Sequence, residues 1–131
     1  MKILLIFIAL SSISIGVHAQ DLKYETIWSM YTEKKLTKMP KYIIEEAESF
    51  SIITWKDKTR KIIISTSSPD GEEKIVMNVN EVTKETGKTI YKGTGPNGKM
   101  IVTIDTLTKW IVITNVLQDG SSMYEYHKVE W

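Results

Sequence analysis

The chain has 131 residues, with 17 Lys plus Arg set against 16 Asp plus Glu and no cysteine. That length holds one modest domain with its own core, not a multidomain enzyme. A charge near zero gives no electrostatic case for binding nucleic acid, and the lack of Cys excludes a disulfide scaffold, a thiol nucleophile and thiolate metal sites.

Residues 1–19 read as a removable export signal. Met1-Lys2 supplies a positive start, and Ile3 to Leu10 supplies an apolar core. Val17-His18-Ala19 offers small residues where a signal peptidase cuts, ahead of Gln20. The apolar run is short for a membrane span and is interrupted by Ser11, Ser12 and Ser14. The expectation is a mature chain of residues 20–131, periplasmic or secreted, with no stable membrane association. With Lys2 removed, acidic and basic residues balance. Freedom from Cys and from glycosylation sequons suits a bacterial source.

Beyond the signal the composition favours strands. Thirty-five of residues 20–131 are Ile, Val or Thr, against five Ala or Leu. β-branched side chains suit a pleated surface, and the best helix formers are scarce. In chain order the pattern predicts strands near 22–32, 49–56, 60–66, 73–83, 88–94, 99–105, 109–117 and 122–130. Turn signals separate them, among them Pro69-Asp70-Gly71, Glu85-Thr86-Gly87, Gly95-Pro96-Asn97-Gly98 and Asp119-Gly120. Between the first two strands, Pro40 to Ser49 has Ile43, Ile44 and Ala47 at helical spacing, which predicts one short helix near 40–49.

Alternation gives each strand its faces. Ile75, Met77 and Val79 share one side, as do Met100, Val102 and Ile104, so one face packs on a core and the other meets water. Ile62-Ile63-Ile64 and Trp110-Ile111-Val112-Ile113 are apolar on both faces, and something must cover the second side. The fold expected is all-β: a single antiparallel up-and-down meander of about eight strands, closed into a small barrel or strongly curled sheet. In outline this resembles the small calycin-type barrels, on architecture alone.

Motifs with chemistry are few. Gly93-Thr94-Gly95-Pro96-Asn97-Gly98-Lys99 matches the start of a phosphate-binding loop. Met100 follows where Ser or Thr should hold magnesium, and a strand begins where a helix should, so it reads as a hairpin turn. His127 is the only histidine after the signal, too few for a histidine-based zinc site. The acidic clusters at Glu45-Glu46-Glu48 and Asp70-Gly71-Glu72-Glu73 lack calcium-loop spacing. No Gly-x-Ser-x-Gly turn is present. No cofactor, metal or catalytic constellation is expected.

The last strand is the exception. If Met123, Val129 and Trp131 face inward, Glu125 and His127 must do so too, opposite Tyr124 and Tyr126; the alternative turns the two tyrosines inward and leaves Glu125 and His127 on the surface. A carboxylate and an imidazole inside a barrel mark a polar spot for a ligand. Trp28, Trp55, Trp110 and Met77 add the adaptable apolar bulk that would wall such a site. Two readings of function follow. The first is a barrel binding a small apolar or amphipathic ligand, with Glu125, His127, Trp28, Trp55, Trp110 and Met77 as candidate contacts. The second is a protein-interaction or inhibitor module acting through a sheet edge or exposed apolar face. An enclosed cavity would favour the first, whereas a filled interior with an apolar outer face would favour the second.

Overall fold

A computed structural model of the chain describes residues 21–41 and 49–129. Within them lie eight strands: β1 (Leu22–Thr32), β2 (Phe50–Lys56), β3 (Lys61–Ser68), β4 (Gly71–Glu85), β5 (Lys88–Gly95), β6 (Gly98–Asp105), β7 (Trp110–Val116) and β8 (Ser122–Val129). Every expected strand is there, its ends displaced by at most two residues. The export signal, Trp131 and most of the helix expected near 40–49 fall outside the described residues; Pro40, Lys41 and Ser49 themselves are irregular.

Each strand pairs antiparallel with the next, and β8 returns to β1, closing the barrel. Turn chemistry sets the hairpins. Gly87 (φ 71°) gives the two-residue turn between β4 and β5 the left-handed backbone it needs. The four-residue loops after β2 and β6 end instead on Arg60 (φ 53°) and Lys109 (φ 62°). Cross-strand bonds hold both in that conformation: the amides of Val79 and Val129 donate to their carbonyls at 2.9 Å.

Closure depends on β1 changing partners. Leu22–Glu25 pair with β2, and Thr26 to Thr32 pair with β8, with a register shift between Thr26 and Trp28. At the switch the Thr26 hydroxyl accepts from the Ser51 amide (2.8 Å) and donates to the Ser51 carbonyl (3.1 Å). This bulge reverses the alternation. Thr26 faces inward beside Val129, yet two residues later Trp28 faces outward beside Lys128.

Inside, the alternating residues build one apolar core. Ile53, Ile62, Met77, Val102, Ile111 and Ile113 are 0–1% exposed. Burying such a side chain stabilises by roughly 1.5–3 kcal/mol. An eight-stranded barrel is about as wide as its own inward side chains need, so these fill it. At one end Trp55 meets Tyr91 with ring centroids 4.8 Å apart, and the Arg60 guanidinium lies 6.0 Å from the Trp55 ring.

Burial, followed by the neighbouring Tyr24 and Asp57, pushes the Tyr91 phenol from 10.0 up to about 12. A raised folded value means that the unfolded chain loses this proton first, so stability is intact below pH 10 and falls as the pH rises toward 12. The urea midpoint should therefore drop across that window, and Tyr91→Phe should flatten the drop. A midpoint equally steep in the variant would mean that Tyr91 ionises as freely folded as unfolded.

Candidate functional site

Of the two orientations open to the last strand, the barrel has the one with the odd-numbered face inward. Glu125, His127 and Val129 point inward, while Tyr124 and Tyr126 lie on the outer face. His127 is 2% exposed and Glu125 8%. His127 Nε2 lies 3.3 Å from Glu125 Oε1, and Asn115 Nδ2 donates to Glu125 Oε2 at 3.1 Å. Tyr31, opposite Glu125 on β1, completes the cluster. Desolvation, then the charge of Glu125 and a hydrogen bond to it, push the Tyr31 phenol up to about 12. His127 Nδ1 is buried with no hydrogen-bond partner among the described residues. Such a polar group costs about 1–3 kcal/mol when left unsatisfied.

The six residues expected to line one ligand site fall in two places. Glu125, His127, Trp55 and Met77 are inside; Met77 and Trp55 are packed into the core. Trp28 and Trp110 are outside, meeting edge to face with centroids 6.1 Å apart and planes at 88°. The β1 bulge puts Trp28 there, and strict alternation on β7 puts Trp110 opposite the inward Ile111. Lys128 stands between the two in register, its ammonium 5.3 Å over the Trp110 ring and donating to the Thr108 carbonyl at 2.8 Å. Partial desolvation, then nearby Lys109, lower the Lys128 pKa.

Outside the barrel, the doubly apolar strand β7 has found cover. The connection after β1 runs back over β8, and the Leu36 amide donates to the Tyr126 hydroxyl at 2.8 Å. That contact helps make Tyr126, an outward residue, only 1% exposed. Between this strap and the barrel wall lies a groove of about 630 Å³. Leu36 and Met39 border it on the strap side, and Ile90, Ile101, Val112, Tyr124 and Tyr126 form its floor, with Trp110 at one margin. A volume of this order suits one small organic molecule.

Two further cavities are also lined largely by outward-facing residues. One, of about 670 Å³, spans β1 to β4 around Phe50 and Ile52 and is edged by Glu25, Glu72 and Glu73. The other, of about 380 Å³, is polar, around Asn80, Lys92 and Lys99. Lys99 itself stands opposite Thr94 in the β5–β6 ladder, which leaves the phosphate-loop resemblance as a hairpin.

No family model, curated protein or solved structure matches this chain. Its function has to be read from the sites themselves. Sequence reasoning located the buried Glu125–His127 pair but passed over Leu36, Met39, Ile90, Ile101 and the outer tyrosines. The signal that pointed to them was the run Trp110-Ile111-Val112-Ile113, apolar on a face that a simple barrel would leave to water.

Proposed function

We propose that the protein is an exported small β-barrel that binds a small apolar or amphipathic molecule, held on the outer wall in the groove beneath the strap. The observation that carries this reading is the groove's floor: aliphatic side chains of β5, β6 and β7 with two tyrosines of β8, roofed by Leu36 and Met39. Apolar surface of this kind, rimmed by polar groups, is what ligand grooves present. The interior suits a ligand less well, because its apolar half is occupied by the core itself. Export rests on the leader, and a binding role, rather than an enzymatic one, on the absence of any catalytic arrangement in the sequence.

The test uses the mature chain, whose intact mass from producing cells should begin at Gln20. The uncharged probe N-phenyl-1-naphthylamine should bind with enhanced fluorescence. Val112→Asp, which places a charge on the groove floor, should weaken binding at least tenfold while circular dichroism shows the fold retained. Ile52→Asp, on the opposite wall, should leave it unchanged. Binding that ignores Val112→Asp would refute the groove.

A second reading has its own support. Phe50, Ile52 and Val76 are 49%, 39% and 37% exposed on the outer face of β2 to β4, an apolar patch that suits a protein partner. It would act through this face, because barrel closure leaves no free sheet edge among the described strands for strand addition.

A further inference from the structure

The groove beneath the strap is apolar along most of its length but not electrically neutral. It follows β7 from Trp110 to Val116, a distance of about 20 Å at the usual strand rise. Lys88, Asp105 and Thr108 lie at the Trp110 end of its margin, and Lys35 lines it from the strap. Neither Lys35 nor Lys88 forms an ion pair among the described residues. The one carboxylate lining the groove, Asp105, stands opposite Lys88 in the β5–β6 ladder, and its Oδ1 accepts from the amides of Leu107 (3.0 Å) and Thr108 (3.1 Å). Lys128 adds positive charge just beyond, bonded to the Thr108 carbonyl. At the other end, Val116, Ser122 and Tyr124 bring no charge.

A long apolar trough with cationic groups gathered at one end is complementary to a molecule built the same way with the opposite sign. Resting on the groove reading above, we propose that the ligand is a free amphipathic anion. Its aliphatic tail lies along Ile90, Ile101 and Val112, and its carboxylate or similar head meets Lys88, with Lys128 just beyond. The tail gains by leaving water, and the head gains from the Lys88 ammonium, which forms no ion pair among the described residues. A single bound monomer fits better than a bilayer, because the strap stands over the wall and makes a trough instead of a flat face. The β1–β4 cavity provides an internal control. It is of similar size and also has apolar residues, but its margin holds Glu25, Glu72 and Glu73 against Lys74. An anionic head is repelled there.

Calorimetry with decanoate, decan-1-ol and decyltrimethylammonium, each below its aggregation limit, separates the terms. Decanoate should bind at least tenfold more tightly than the other two, and its affinity should fall as salt is added. Lys88→Glu should lower decanoate affinity at least tenfold and leave that of decan-1-ol within about twofold. Ile101→Asp should weaken both. Equal affinity for decanoate and decan-1-ol, or indifference to Lys88→Glu, would overturn the anionic head while leaving the groove standing. Indifference of both ligands to Ile101→Asp, or no binding of any ten-carbon probe, would overturn the groove as well. Co-sedimentation with phosphatidylglycerol vesicles without decanoate binding would overturn the free monomer in favour of a membrane surface.

Discussion

Gly93→Ala should prevent folding or cost more than about 4 kcal/mol, the range reserved for substitutions the structure has no room to absorb. Gly93 is an inward-facing residue of β5 paired with Val79 and Met100. A Cβ there would overlap the Asn78 carbonyl oxygen, with the Asn78 carbonyl carbon at 2.8 Å and the Val79 Cα at 2.9 Å. All three are backbone atoms of β4 beside its irregularity between Val79 and Glu81, so nothing can rotate away. Gly95→Ala provides the contrast. Its Cβ would meet only the Met100 side chain, whose flexible thioether can shift, and roughly 1–2 kcal/mol should suffice. Urea unfolding of both variants checks the pair. Two equally stable variants would mean that β4 and β5 are farther apart at Gly93 than described.

Glu125→Ala should lower stability by about 2–4 kcal/mol, because it removes the acceptor shared by His127, Asn115 and Tyr31. His127 Nε2 and Asn115 Nδ2 would both lose their partner, and His127 would then have neither ring nitrogen satisfied. The double variant Glu125→Met/His127→Leu should recover most of the loss, since it replaces a polar pair with shapes the adjoining core already accepts. Paired denaturation curves measure this. If the double variant is no better than the single one, the loss comes from packing and not from stranded hydrogen bonds. Groove binding should survive in the double variant, because Glu125 and His127 point into the barrel and the groove is outside it. This separates a polar cluster inside the barrel from the surface proposed to bind.

How far the sequence reaches is clearest on these same strands. On β8, two-residue alternation with no bulge put Glu125 and His127 on one face and Tyr124 and Tyr126 on the other, and the closure of the barrel turned the first pair inward. The same period, with turn signals between the runs, predicted the eight strands, and the meander order was an inference from their short connections. These features are local: a side chain's face follows from the residues on either side of it, and a turn from the few residues that adopt its dihedrals. Gly93 looked like part of a glycine-rich loop, because a close approach by another strand leaves no mark in the neighbouring residues. Trp28 looked like a partner for Trp55 and Met77, because the extra residue that flips the face shows only in the pairing of β1 with β8. The groove lay deeper still. It exists because β1 leaves β2 to close on β8 and because the connection after β1 folds back to bond Tyr126 through Leu36. The chain's own pattern decided which side chains share a face on each unbulged strand, and only the long-range closure of the barrel decided which face turned inward and which outer surfaces meet to form a site.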